Sequence, residues 1–67
     1  MYSENEVMKL LTKMGQEFDS IERNAEKFVE GNNSAGTRLR KQMQMIKNLA
    51  QDVRLEVQKQ KNTATVF

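Results

Sequence analysis

The sequence predicts an all-α fold, with two long antiparallel helices forming a coiled-coil hairpin that dimerises into a four-helix arrangement. Two segments repeat their apolar residues at alternating steps of three and four, which places these residues on one face of a helix. A short run rich in glycine and asparagine separates the segments, and no proline occurs in the 67 residues. Such a short connection makes long helices antiparallel neighbours. We expect a single helical-hairpin domain over residues 1–67, with helices at about 4–30 and 35–61, a turn at 31–34 and a loose tail at 62–67.

The first helix is bounded by a capping box and a glycine. The Ser3 hydroxyl can accept a hydrogen bond from the Glu6 N–H, and the Glu6 carboxylate can reach back to Ser3. Gly31 can adopt the left-handed conformation that ends many helices. Between these limits an apolar stripe follows heptad spacing: Val7, Leu11, Met14, Phe18, Ile21, Ala25 and Phe28.

The second helix starts near Asn33 or Ser34, because either side chain can cap the first free N–H groups. Its apolar stripe continues the heptad spacing: Leu39, Met43, Ile46, Ala50, Val53 and Val57. We expect the two stripes to meet as the core of the hairpin. Leu10, Leu49 and Leu55 lie outside the stripes and favour a dimer.

Composition limits the chemistry of this chain. Cysteine and histidine are absent, which excludes disulfides, thiol nucleophiles, imidazole bases and the usual zinc sites. Glu22 and Glu26 have the spacing of a solvated helix face, and nothing suggests a catalytic pocket. We therefore expect no enzyme, no metal, no cofactor and no small-molecule substrate.

Size and hydropathy limit stability and location. A core of this size rarely supplies more than about 3–5 kcal/mol without disulfides, metal or oligomerisation, so we expect a homo-oligomer. No apolar run reaches the roughly 18–20 residues needed to span a bilayer. We therefore expect no membrane association and a cytoplasmic location.

The net charge of +2 is divided unevenly between the halves. Residues 1–30 hold four Lys/Arg against seven Asp/Glu, a net charge of −3, whereas residues 31–67 hold seven against two, a net charge of +5. In the second helix four cations recur at every seventh residue, which makes a line about 31 Å long. We call this line the basic edge: Arg40, Lys47, Arg54 and Lys61.

The basic edge has few acidic partners within the predicted hairpin. If Leu39, Ile46 and Val53 are heptad d positions, the basic edge occupies e, and Glu22 is the one acid at the equivalent positions of the first helix. Lys47 with Gln51, or Arg54 with Gln58, could still pair along the helix. The edge is then either a solvated or intersubunit-paired face, or a surface that binds anions.

The turn carries further cations near the start of the second helix, where the helix dipole disfavours positive charge. Free N–H groups at a helix start bind phosphate readily, and the small residues of 32–36 leave the backbone open to a phosphodiester. A bound phosphate would make the nearby cations its ligands. The predicted nucleic-acid-binding residues are Asn32, Asn33, Ser34, Arg38, Arg40, Lys41, Lys47, Arg54 and Lys61.

The turn also resembles a known family. The run Gly31-Asn32-x-x-Ala35-Gly36-x-Arg38-x-Arg40-Lys41, followed by an amphipathic helix, is similar to the bacterial linker-histone-like nucleoid proteins first associated with chlamydiae. The resemblance covers roughly residues 7–61 and is that of a short form lacking the lysine-rich tail of the long members. It implies DNA binding, chromosome condensation and a nucleoid-associated location.

These observations predict a histone-like protein that contacts the phosphate backbone of DNA without strong sequence preference. No aromatic residue lies among the cations of the second helix, so the stacking platform of single-strand binders is missing and duplex DNA is the expected partner. The alternative is a coiled-coil structural or adaptor protein that mediates protein–protein assembly, through Met45, Leu55 or Phe67.

Overall fold

The computed structural model describes residues 5–65, and this part of the chain consists of two α-helices, α1 (Glu6–Val29) and α2 (Asn33–Thr65). The helices pack against each other along their length. Hydrogen bonds join Asn5 to Gln60 and Asn24 to Gln42, so the helices run antiparallel. The predicted all-α hairpin is confirmed.

The ends of α1 are defined by side-chain and backbone hydrogen bonds. Asn5 is the N-cap, and its Oδ1 accepts from the Val7 N–H at 2.8 Å; the predicted cap, Ser3, lies outside the described residues. At the other end the Gly31 N–H donates to the Phe28 carbonyl and the Asn32 N–H to the Lys27 carbonyl, both at 3.0 Å. This is a Schellman motif, and the φ of +110° at Gly31 confirms the predicted glycine conformation.

The start of α2 differs from the prediction. Asn32 is the capping residue, since its Oδ1 accepts from the Ala35 N–H at 3.0 Å, and the helix begins at Asn33. The prediction that Asn33 or Ser34 caps this helix is wrong. The Schellman motif brings Asn32 directly to the helix start, so its side chain is the one that reaches the third helical N–H.

The end of α2 also differs from the prediction. The helix continues through Thr65, so residues 62–65 of the predicted loose tail are helical, while Val66 and Phe67 lie outside the described residues. No glycine or proline interrupts this segment. Two hydrogen bonds between residues one helical turn apart stabilise it. Gln58 donates to Asn62 at 3.0 Å, and the Thr63 hydroxyl donates to the Lys59 carbonyl at 3.0 Å.

The contact between the helices uses a different heptad register from the predicted one. Among the predicted core residues, Leu11, Phe18, Met43 and Val57 are 45%, 53%, 44% and 38% exposed. The more buried side chains follow another heptad line: Val7, Leu10, Met14, Glu17, Ile21 and Asn24 on α1, with Ala35, Leu39, Gln42, Ile46, Leu49, Val53, Glu56 and Gln60 on α2. The predicted core is therefore wrong for these four residues and for Phe28, which is 48% exposed, because one neighbouring helix covers a narrower arc than each apolar stripe occupies.

Polar side chains inside the contact set the register of the hairpin. Asn24 is 8% exposed; its Nδ2 donates to Gln42 Oε1 at 2.9 Å, and its Oδ1 accepts from Arg38 Nε at 3.1 Å. Gln42 Nε2 donates in turn to Ser20 Oγ at 2.8 Å. A shift of either helix would leave these groups without partners, which is costly in a partly buried site.

Candidate nucleic-acid interface

The basic edge lies on the outer side of α2. Its four side chains are all exposed, and each seven-residue step advances about 10.5 Å along the helix. Because Leu39, Ile46 and Val53 occupy a positions in the observed register, the cations occupy b positions and not the predicted e positions. The rotation turns the basic edge away from α1 while keeping its members in line.

The cations of the basic edge have no partner within residues 5–65. None of their side chains makes a hydrogen bond or an ion pair there. Glu22, the acid considered as a partner, lies exposed on the outer side of α1. The considered pairing of Arg54 with Gln58 is not formed, and Gln58 donates to Asn62 instead. The edge therefore presents its charge to solvent, where a polyanion can reach it.

Two shallow depressions lie along the outer surface of α2. Lys47 and Arg54 line one of them together with Ala50, and Arg40 and Lys41 line the other. Each depression is bordered by two cations, which suits the charge-assisted binding of anionic oxygens. The structure thus adds Lys41 to the surface formed by the basic edge.

The residues of the turn do not have the open arrangement that phosphate binding at the turn requires. Ala35 is fully buried, and the Phe28 ring lies against Gly36, so these small residues pack within the hairpin and do not open the backbone to a phosphodiester. The Asn32 side chain is engaged as the cap of α2. Asn33 and Ser34 are exposed in the first turn of α2, which contains no acidic residue.

Arg38 does not share a surface with the basic edge. Its Nε donates to Asn24 Oδ1 on the polar side of the hairpin, the side that carries Ser20 and Gln42 and lies about 160° around the helix from Arg40. Since α2 begins at Asn33, Arg38, Arg40 and Lys41 lie beyond its first turn, where the dipole effect has faded. The predicted site therefore divides into the turn residues, Arg38, and the basic edge with Lys41.

Sequence reasoning missed the residues that hold Arg38. Asn24, Gln42 and Ser20 form one chain of hydrogen bonds with it. A sequence indication was available, because Asn24 and Gln42 lie one position before the apolar residues Ala25 and Met43. Two amide side chains at equivalent heptad positions of facing helices can pair across an antiparallel contact.

Two other kinds of site have no counterpart in residues 5–65. Neither α1 nor α2 has the length and hydropathy to cross a membrane. Within residues 5–65, no cluster of three or more Asp or Glu side chains has the arrangement of a metal site.

The described residues thus form a helical hairpin whose second helix carries a line of exposed, unpaired cations. The family model described as histone H1-like protein Hc1 matches residues 8–63, which is most of the chain. This chain belongs to that family, as the turn and the amphipathic second helix suggested. No curated protein and no solved structure matches it. Family membership supports a histone-like, DNA-binding role in the nucleoid.

Proposed function

We propose that this chain is a nucleoid-associated protein that binds the phosphate backbone of duplex DNA through its basic edge, without strong sequence preference. The observation that carries the proposal is the line of exposed, unpaired cations on α2 in a member of a histone H1-like family. The proposal assigns the chain no catalytic activity and no cofactor.

The dimensions of the basic edge suit a duplex. Its length of about 31 Å is close to one turn of B-DNA, about 34 Å. A duplex carries one negative charge per about 1.7 Å of axis, so phosphates are available along the whole edge. The absence of aromatic residues among these cations favours duplex over single strands.

The proposed protein acts as a homo-oligomer. The four cations of one basic edge give limited affinity for phosphates at physiological salt. Linked copies raise the overall affinity without any new contact, because the second binding event becomes intramolecular. Oligomerisation is therefore part of the proposed mechanism by which the chain condenses DNA.

The test compares two matched double variants by fluorescence anisotropy with unrelated labelled duplexes over a range of salt concentrations. Lys47→Ala with Arg54→Ala removes two cations of the basic edge, and Lys9→Ala with Lys13→Ala removes two exposed cations of α1. Each phosphate contact contributes a slope of about 0.9 to the plot of log affinity against log salt. The edge variant should lose about two units of slope on every duplex, and the α1 variant should keep the wild-type slope.

Equal loss of slope in both double variants would contradict a role for the basic edge and indicate nonspecific attraction by net charge. Unchanged affinity in both would contradict the DNA-binding proposal. The unfolding transitions of both variants should match the wild type, since exposed charges contribute little to stability.

A structural or adaptor role is the second candidate, and exposed apolar residues away from the basic edge favour it. Leu55 is 58% exposed and Met45 is 44% exposed, and Phe67, considered with them, lies outside the described residues. If wild-type protein shows no affinity for DNA at low salt, this candidate becomes the better one. The adaptor role would then be supported if the protein cross-links to another protein and the substitutions Leu55→Ser and Met45→Ser abolish that cross-link.

A further inference from the structure

The polar side of the hairpin carries one row of flanking side chains from each helix. In the observed register Val7 and Leu39 occupy a positions, and the residue before each a position is a g position. In an antiparallel pair the g positions of both helices lie on the same side of the contact. The hydrogen bonds of Asn24 with Gln42 and Arg38 fix which g residues lie at about the same height. The facing g residues are Glu6 with Lys59, Lys13 with Asp52, Ser20 with Met45, and Lys27 with Arg38.

One level of this row places two like charges opposite each other. Flanking positions of paired helices commonly carry opposite charges, and the levels of Lys13 and Lys59 follow this pattern. Lys27 instead faces Arg38. The C-terminal turn of α1 favours a cation such as Lys27, but the two positive charges still repel each other.

A third cation lies beside this pair. Arg23 precedes Lys27 by four residues, so it lies on the same side of α1 one turn away. We call Arg23, Lys27 and Arg38 the turn-end cluster. All three residues are exposed, so an anion in solvent can reach them.

The charge of the turn-end cluster is not neutralised within residues 5–65. Neither Arg23 nor Lys27 makes a hydrogen bond or an ion pair there. Asp19, Glu26 and Glu30 lie within about one turn of these two cations, are exposed, and form no ion pair with them. The cluster therefore presents its cations unpaired.

Arg38 is held in place and still has donors to offer. Its Nε donates to Asn24 Oδ1 at 3.1 Å, and Asn24 is 8% exposed. The two Nη groups carry four of the five guanidinium N–H donors, and they make no hydrogen bond within the described residues. Because the guanidinium is already oriented, it loses less freedom when a ligand binds. Its free edge matches the two oxygens of a carboxylate or a phosphate.

An exposed methionine beside the cluster distinguishes between these two ligands. Met45 is 44% exposed and lies on the same g line as Arg38, about 10.5 Å further along α2. The DNA backbone is contacted by cations and polar groups, and it offers no large apolar side chain to pack on a methionine. Adaptable methionines are common at surfaces that bind amphipathic peptides. Cations beside an exposed methionine therefore fit a ligand that carries both carboxylates and apolar side chains.

We propose that the turn-end cluster and Met45 bind an acidic amphipathic segment of another protein. Carboxylates of the segment pair with the cluster, and an apolar side chain of the segment packs on Met45. Arg38 lies about 160° around α2 from Arg40, so this site and the basic edge face different directions. One hairpin can thus hold a protein segment on its polar side while its basic edge is occupied. The inference does not depend on DNA binding.

The test measures the fluorescence anisotropy of labelled synthetic peptides with the full chain, in the absence of DNA. The first peptide has about 16 residues, or four to five helical turns, and repeats Glu and Leu at helical spacing. In the second peptide Gln replaces every Glu, and in the third Ala replaces every Leu. The wild type should bind the first peptide, and each replacement should weaken binding by about 10-fold.

Two matched double variants locate the site of the carboxylates. Arg23→Ala with Lys27→Ala removes two cations of the turn-end cluster, and Lys9→Ala with Lys13→Ala removes two exposed cations of α1 on the same side near its other end. Arg38 is left unchanged because its bond to Asn24 also contributes to stability. The cluster variant should bind the first peptide about 10-fold more weakly, since each exposed charge pair contributes a factor of up to about five. The control variant should bind like the wild type.

A third variant locates the apolar contact. Met45→Ser should weaken binding of the first peptide by about 10-fold and leave binding of the third peptide, which has no leucine, unchanged. Equal weakening for both peptides would overturn the role of Met45. The circular dichroism of all three variants should match the wild type, since exposed residues contribute little to stability.

The remaining outcomes separate this site from nonspecific attraction and from DNA binding. If both double variants lose peptide affinity equally, net charge attracts the peptide and the proposal is overturned. It is also overturned if the wild type does not bind the first peptide. If a duplex displaces the peptide and the cluster variant loses about two units of salt slope on duplexes, the cluster is a DNA site instead. If the wild type binds the first peptide but no DNA, this site stands and the proposed function fails.

Discussion

Gly36 is the position where the packing of the two helices depends most directly on a missing side chain. A Cβ atom at this position would lie 2.6 Å from Cδ1 and 2.8 Å from Cε1 of Phe28, well inside the 3.5–4.0 Å of a favourable carbon contact. A Cβ at Gly15 would meet nothing within 4 Å. Alanine at these two helical glycines should therefore have different effects on stability.

The change in stability at each glycine is the sum of two opposing effects, the higher helix propensity of alanine and any clash of its Cβ atom. Replacing glycine by alanine within a helix stabilises it by up to about 1 kcal/mol, and Gly15→Ala should show this gain alone. At Gly36 the clash costs about 1–3 kcal/mol if the ring is squeezed. Turning the ring away instead uncovers about 100 Å² of it, since Phe28 is 48% exposed, and that costs about 2.5 kcal/mol. Gly36→Ala should thus be less stable than Gly15→Ala by about 1–3 kcal/mol.

Urea unfolding followed by far-UV circular dichroism measures this difference, at one protein concentration because self-association shifts apparent stability. The control is the same pair of substitutions in a Phe28→Ala background. Without the ring, Gly36→Ala should become stabilising, which gives a coupling energy of about 1–3 kcal/mol. If Gly36→Ala stabilises the otherwise unchanged chain as much as Gly15→Ala does, Phe28 does not pack on Gly36 and the described approach of the helices is wrong.

The polar side of the hairpin supplies two further predictions. Asn24→Ala should lower the free energy of unfolding by about 1–3 kcal/mol, because Arg38 and Gln42 lose their partner. The control Asn48→Ala, at an exposed position, should change it by less than about 0.5 kcal/mol. Equal effects of the two substitutions in urea unfolding would contradict a role for Asn24 in setting the register. Arg38→Ala should lower stability with little effect on the salt dependence of DNA binding, whereas Arg40→Ala should lower the salt slope by about one with unchanged unfolding. The reverse pattern would make Arg38 a DNA ligand, as its position near the turn first suggested.

Much of the hairpin follows from local sequence. Helices form wherever apolar residues recur at heptad spacing without proline, and Gly31 ends the first helix because a positive φ is easily adopted only without a Cβ. The straightness of the basic edge is equally local, since any residues seven apart lie nearly in line on a helix. For the same reason the four cations of the basic edge lie in line in the observed register, as they did in the predicted one.

The rotation of each helix about its own axis was decided only by tertiary structure. The apolar stripes are wide enough that a single partner helix can cover either of two adjacent heptad lines. The spacing of the apolar residues does not distinguish between these two lines. The close connection at residues 30–32 and the approach of Gly36 to Phe28 select the line that ends in buried Ala35. The hydrogen bond from Asn24 to Gln42 then stabilises the register in which this line forms the contact. Hydrogen bonds and steric contacts between residues distant in the chain depend on relative orientation, which a linear pattern does not contain.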